Sequence, residues 1–377
     1  MDTTSSAPDE TPRTTNPTAL RRAGPLRRLL QLVAIVLALI VTYLLVAPSP
    51  IEPTAYEPPV KPALAGPTAP NDSLSKATLL AQGRVGPEDV YVDKEGNVYG
   101  GLEDGRIIRV APDNKVTDAF DTKGRPLGLE MDAQGNLIVA DARRGLLSID
   151  RAGSVTVLTD QVDGKPFGFT DDLAIASDGM IYFSDASSKF HADEYLYDLL
   201  EAQPHGRLLS YNPQTKETKV LLDALYFANG VALSQHEDFV IVNETYRYRI
   251  QRYWLKGEKA GTAEVFVDNL PGFPDNVSSN GRGTFWLALF TVRNDTIDKL
   301  HPYPWAKGIM SKLPKPLWPK PQPYAFVLAL DESGKILESF QDPTGKNLNT
   351  ITSVFERDGY LYLGSLHNDR IGKFKLP

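Results

Sequence analysis

The sequence predicts an all-β protein, a six-bladed β-propeller, carried behind a single N-terminal transmembrane helix. Three observations point there. A strand–turn–strand pattern recurs six times in the last 300 or so residues. An apolar run of 19 residues lies near the N-terminus. No cysteine occurs among the 377 residues, so core packing and strand ladders must hold the fold without disulfides.

Taken in order, residues 1–28 read as a disordered cytosolic tail. Residues 1–20 are rich in Thr, Ser and Pro and offer little apolar surface to bury. Arg21, Arg22, Arg27 and Arg28 follow, and then the apolar run Leu29–Ala47, broken only by Gln31 and Thr42. At about 1.5 Å per residue this run nearly spans the hydrocarbon core of a bilayer. Pro48–Pro59 carries only Glu52 and Glu57 as charges, so the positive-inside rule keeps the N-terminus cytosolic. The remainder would then lie on the periplasmic, extracytoplasmic or lumenal side. A cleaved signal peptide fits less well, because the run is long and Pro48 follows Val46-Ala47. Residues 48–74, heavy in proline, are expected to form an extended spacer, leaving 75–377 for the propeller.

The repeat is clearest from Val90 to Tyr99 with its turn at Gly96, from Leu129 to Ile138 with Gly135, and from Leu173 to Tyr182 with Gly179. Weaker copies start at Val231, Val277 and Ser353. Gly or acidic turns between β-branched and aromatic residues are hairpin chemistry. A period of about 50 residues suits four short strands per blade. Two intervals are stretched. Ser187–His205 contains the short helical pattern Glu194–Glu201, ended by Pro204 and Gly206. Arg293–Pro323 interleaves aromatic residues and prolines. Insertions of this size act as lids or brace the rim. Both are expected over the top face, where His301 and Trp305 could reach over a substrate. The bland role for His301 is a structural loop residue.

Spacing then supplies a site. Glu88, Asp171, Asn229 and Asp275 each lie eight residues before the matching landmark, Gly96, Gly179, Glu237 or Gly283. Equal offsets in a repeat mean equivalent places, here the channel mouth just before each innermost strand. Leu127 and Ile351 occupy the slot in repeats two and six, giving a ring of four polar and two apolar residues. Three carboxylates and one amide oxygen suit a hard cation, Ca²⁺ ahead of Mg²⁺. Without a cation the carboxylates would repel one another and hold their protons more tightly. The preference of Asp and Asn for turns does not explain Glu88. Asp172 and Asn276, like Asp89, are expected to point away from the channel, as supports behind the ligands or as strand caps, and Asn276 could exchange roles with Asp275. Asp275 and Asn229 are the candidate catalytic residues, Asp275 as nucleophile or base.

Composition narrows the function. A net charge of −7 and the lack of a Lys/Arg stripe argue against nucleic acid as a partner. Zero cysteines exclude a thiol nucleophile and a zinc–thiolate site. His191, His205, His236 and His367 show no metal-like spacing.

Several segments resemble the strictosidine-synthase-like branch of the regucalcin, gluconolactonase and paraoxonase superfamily. They are Phe169–Asp185, Phe227–Val231, Pro271–Val277, Ser187–Phe190, Pro204–Leu209, Asp298–Pro302 and Glu356–Leu366. The resemblance covers residues 75–377. It implies a six-bladed propeller with Ca²⁺ at the top of the channel, hydrolysing lactones, aryl esters or organophosphates. By motif, the ligands fall on Glu88, Asp171, Asn229 and Asp275. Hydrolases of the superfamily carry Asn where this chain has Asp171, so the site here has one more negative charge. Two departures limit the parallel. Thr352 stands where strictosidine synthase proper places its general-base Glu, so the condensation reaction is not expected. Gly124–Gly128 lacks the histidine that paraoxonases use near the second-blade slot. The leading expectation is therefore a membrane-anchored Ca²⁺-dependent esterase or lactonase acting on a small ester or lactone. The alternative is a non-catalytic binding propeller with a structural cation.

Overall fold

Six four-stranded antiparallel sheets form where the repeat places them, the first five with their strands in chain order from the channel outward. The structure, a computed structural model, describes Met1 and residues 24–377. Most of the expected disordered tail, with Arg21 and Arg22, lies outside the described residues. The innermost strands are Val90–Val92, Pro126–Met131, Thr170–Ile175, Ala228–Leu233, Gly272–Ser279 and Ile351–Arg357. In the sixth blade the outer strand Thr78–Leu80 comes from the start of the domain and pairs with Ile371–Lys375 at its end. That pairing closes the ring by joining the start and the end of the domain in one sheet.

Apolar residues from adjacent blades fill the spaces between sheets. Ile138, Ala140 and Leu146 of the second blade, for example, pack with Leu173, Ile181 and Phe183 of the third. Five innermost strands carry a break in register near the top, between Pro126 and Leu129, Thr170 and Leu173, Ala228 and Val231, Pro274 and Val277, and Ile351 and Ser353. A bulge frees the residues inside it from the ladder and re-aims their side chains. Leu127, Asp171, Asn229 and Asp275 all lie inside these breaks. Gly230 follows directly. A Cβ there would stand 2.5 Å from the Val277 nitrogen and 2.6 Å from the Asp275 oxygen. Only glycine lets the fourth and fifth blades meet backbone to backbone beside the site.

Both long insertions lie between the second and third strands of a blade. In the third blade the connection carries α2 (Tyr195–Glu201), which ends at Ala202 in the left-handed region. In the fifth it carries α3 (Asp295–Leu300) and α4 (Pro304–Ser311). Asn294 caps α3 by accepting from the Thr296 and Ile297 amides.

The chain divides into two compact units, Met1–Pro48 and Ser49–Pro377. The first contains the 22-residue helix α1 (Pro25–Val46), with mean hydropathy 2.8, long and apolar enough to cross a membrane. It begins four residues earlier than the apolar run and takes in Arg27 and Arg28.

In the second unit the proline-rich stretch does not stand free as a spacer. It runs along the propeller as a strap. Thr54 and Tyr56 donate backbone hydrogen bonds to Glu201 and His301. The Tyr56 ring lies 3.8 Å from the Arg247 guanidinium and 5.3 Å from the His301 ring. Further on, Leu74 is fully buried in a core shared with the fifth and sixth blades. Proline sets an extended backbone, but composition does not say whether that backbone is solvated or docked. Tyr56→Ala is expected to loosen the strap, costing about 2–4 kcal/mol. Limited proteolysis between residues 49 and 62 should then run at least about tenfold faster.

Candidate metal centre

Glu88, Asp171, Asn229 and Asp275 all line one cavity of about 460 Å³ at the top of the channel. All four are buried, none more than 7% exposed. The Asn276 amide donates to both Glu88 oxygens, at 3.1 and 3.3 Å. The Asn229 amide hydrogen-bonds the Asp275 carboxylate, while its own carbonyl oxygen is buried without a partner. Among the described residues, no group of three or more His, Cys, Asp or Glu side chains stands at metal-holding spacing. Glu88, Asp171 and Asp275 are therefore not such a group, and what joins them with Asn229 is the wall of the cavity they share.

The electrostatics of the cavity favour a positive charge. Burial first, then Asp89, pushes the Glu88 carboxyl up to about 8, with Arg125 opposing. Asp171 is raised well above the carboxylate range by burial and then by Glu88 and Asp275. Asp275 is raised by burial and then by Glu88. Buried carboxylates that repel one another, beside an amide oxygen with no donor, are the donor set of a hard divalent ion. The residues present therefore fit Ca²⁺ or Mg²⁺.

The other expected residues sort differently. Asp172 accepts from the Leu173 amide at 2.8 Å and from the Val231 amide at 2.8 Å, clasping the third blade to the fourth. Asp89 does the same between the first blade and Leu129. Both are strand caps, yet they face a second cavity in the channel rather than standing away from it. Asn276 sits behind Glu88 and does not line the upper cavity.

In the sixth blade the slot belongs to Thr352, not Ile351. Ile351 is buried in an inter-blade core, whereas Thr352 lines the cavity and donates to the Glu88 carbonyl. The cause is the turn. Asp358 and Gly359, both at positive φ, make a two-residue hairpin between Arg357 and Tyr360, so counting back eight overshoots by one.

His301 and Trp305, expected to reach over the site, line no part of this cavity. His301 is 1% exposed, with neither ring nitrogen partnered. Burial, then Lys307 and the arginines 247 and 293, lowers it to about 3. It stays neutral and braces the strap. Trp305 is 70% exposed.

What covers the cavity comes from elsewhere on the same insertions. Tyr195, Leu196 and Leu199 arrive from α2 and its start, Ile297 from α3, and Trp318 from the segment after α4. Phe169, Phe227 and Phe273 form an apolar collar. Each stands two residues before a ligand, an equal offset that was open to reading in the sequence. Arg125 holds the same offset in the second blade. It is buried, donates to the Gly86 and Gly101 carbonyls, and keeps its Nη2 unpartnered.

Beneath this roof Asp198 of α2 accepts from Ser187 at 2.7 Å, and burial, opposed by that bond, pushes it up to about 7. A carboxyl raised on folding binds more protons folded than unfolded, so stability falls as pH rises from about 4 to about 7. Asp198→Asn is expected to gain about 1–3 kcal/mol at pH 8 and nothing at pH 4. Thermal melts at the two pH values check this.

Comparison with known proteins places the chain among relatives. The strictosidine synthase family model matches residues 171–258, and the strictosidine synthase-like N-terminal model matches residues 66–110. Adipocyte plasma membrane-associated protein of Rattus norvegicus is 36% identical over 352 residues, covering 87% of this chain and 93% of that protein. Protein strictosidine synthase-like 3 of Arabidopsis thaliana is 36% identical over 327 residues, covering 78% and 83%. A solved gluconolactonase of Xanthomonas campestris superposes with a TM-score of 0.60 at 19% identity, covering 88% of this chain and 99% of that one. That last likeness concerns the fold alone.

Proposed function

The chain belongs to the strictosidine-synthase-like family, and from that premise we propose that it is a membrane-anchored, calcium-dependent hydrolase of esters or lactones. The observation that carries the proposal is a ring of buried oxygen donors on the wall of a predominantly apolar cavity, under a two-part lid. Such a cavity takes an apolar substrate body and presents its carbonyl to the ring. The apolar helix and the kinship with a plasma-membrane-associated protein support the anchor. The arginines before it favour a cytosolic N-terminus with the propeller on the far side.

Glu88, Asp171, Asn229 and Asp275 would hold Ca²⁺, with Mg²⁺ the alternative. When bound, the cation would supply Lewis-acid polarisation of a carbonyl and stabilise the oxyanion. The chain's own groups do the rest. Asn276 orients Glu88, and Arg125 favours its ionised form. Asp275, steadied by Asn229, would accept a proton from attacking water as ester and water give acid and alcohol. The phenylalanine collar excludes bulk water. Thr352, whose hydroxyl is engaged with the Glu88 carbonyl, offers no base for a condensation between amine and aldehyde.

The test is turnover of aryl acetates and lactones by the purified full chain, before and after EDTA, with Ca²⁺ or Mg²⁺ returned. Turnover lost to EDTA and restored better by Ca²⁺ supports the hydrolase. Tight calcium binding with no turnover on the panel would favour a binding propeller instead.

A further inference from the structure

We propose that the cavity takes an amphiphilic anion: Arg125 binds a carboxylate on the alcohol side of the ester, while the acyl chain lies among the phenylalanines. This rests on the hydrolase reading above and names its substrate class. The first observation is the make-up of the collar. Two residues before the ring position stand Phe169, Phe227 and Phe273 in the third, fourth and fifth blades, but Thr350, Gly86 and Arg125 in the sixth, first and second. The three aromatic blades are neighbours around the channel, and so are the other three.

The loops above extend the same division. Leu196, Leu199 and Ile297 roof the aromatic half, whereas Glu103, Arg143 and His367 line the cavity from loops of the first, second and sixth blades. An acyl chain is buried favourably against the first half. The second half suits a group that carries charge or accepts hydrogen bonds. A substrate apolar throughout would fill one side and desolvate the other without return.

The second observation is a donor with nothing to receive it. Arg125, Arg143 and Lys315 are the Lys and Arg side chains that line the cavity. Arg143 pairs with Asp193 at 3.3 Å, and Lys315 Nζ donates to the Asp193 carbonyl at 2.8 Å. Arg125 differs. It is 5% exposed, and its Nη1 donates to the Gly86 and Gly101 carbonyls at 3.1 and 3.3 Å. Its Nη2 is buried without a hydrogen-bond partner. Glu88, Glu103 and Asp141 favour its charge through space alone, and Glu88 is a ligand in the proposed ring. Two carbonyls hold the guanidinium still, so little freedom is lost when it binds. A carboxylate oxygen answers both the free N–H groups and the buried charge, which a hydroxyl does not. With its carbonyl at the ring, such an ester points its alcohol toward Arg125 and its acyl chain toward the third to fifth blades. Hydrolysis then releases a fatty acid and a hydroxy-carboxylate.

The full chain with excess CaCl₂ is titrated calorimetrically with para-hexyloxybenzoate and para-hexyloxybenzamide, ethers that resist hydrolysis and differ in the charge of one end. The benzoate is expected to bind at least about tenfold more tightly. Arg125→Met should bring the two within about twofold, and Arg125→Lys should keep part of the preference. A structural role for Arg125 would weaken both ligands together. A preference that survives Arg125→Met therefore overturns the subsite and puts the carboxylate on the cation. Equal affinities in the parent overturn it without a variant, since water then serves Nη2 as well as an anion does. Among esters, meta-carboxyphenyl hexanoate should exceed phenyl hexanoate about tenfold in kcat/KM, a ratio that Arg125→Met erases. Benzoate preference without turnover of either ester upholds the subsite and sinks the hydrolase reading alone. Equal turnover of both esters, with equal binding of both ethers, sinks the subsite and leaves the hydrolase standing.

Discussion

Asp275→Ala is expected to weaken calcium binding at least about 100-fold and to slow ester hydrolysis about 1,000-fold, in a protein that stays folded. Asp275 is one of three carboxylates on the cavity wall and, in the proposed mechanism, the group that takes a proton from water, so both losses fall on one substitution. Folding should survive because the carboxylate is a burden in the metal-free protein. Burial and Glu88 both press it toward protonation, and removing it relieves that repulsion. The metal-free variant should therefore melt no lower than the metal-free parent. Asp172→Ala makes the contrast. That carboxylate holds the Leu173 and Val231 amides, so its loss should cost about 2–3 kcal/mol of stability and change calcium affinity far less. Calorimetric titration and melting of both variants separate a ligand from a clasp. Unchanged calcium affinity in Asp275→Ala would remove it from the ring.

The ring could be read from spacing because a propeller turns equal offsets into equal positions. Glu88, Asp171, Asn229 and Asp275 meet at one cavity for that reason. The same arithmetic failed by one residue in the sixth blade, where a two-residue turn shortens the hairpin and Thr352 takes the slot. The phenylalanine collar obeys the same rule and needed only a second offset to be counted. Other features depend on contacts distant in the chain. The run His301–Trp305 reads as an ordinary loop, and only the docked strap explains a neutral histidine buried against Tyr56. Proline content marked residues 48–74 as extended, while their docking depends on pockets built by α2 and α4. Both insertions were legible as interruptions of the period, and α2 as a helix, but the residues that roof the cavity were not.

Removing calcium is expected to lower the melting temperature of the intact protein by about 10 °C. The ring places Glu88, Asp171 and Asp275 in one buried space where Arg125 is the opposing cation. Like charges buried together in one cavity cost several kcal/mol unless neutralised. A ligand present at about 1,000 times its dissociation constant stabilises the folded state by about 4 kcal/mol. For a domain of this size each kcal/mol moves the midpoint by about 2–4 °C. Scanning calorimetry with EDTA, and again with excess CaCl₂ or MgCl₂, reads the shift directly. Calcium should restore most of it and magnesium less, since an uneven ring of one glutamate, two aspartates and an asparagine suits looser coordination. Asp275→Ala should erase the calcium shift while leaving the EDTA midpoint in place. A melt indifferent to both ions would mean that these oxygens share a cavity without sharing a cation, and the hydrolase would lose its electrophile.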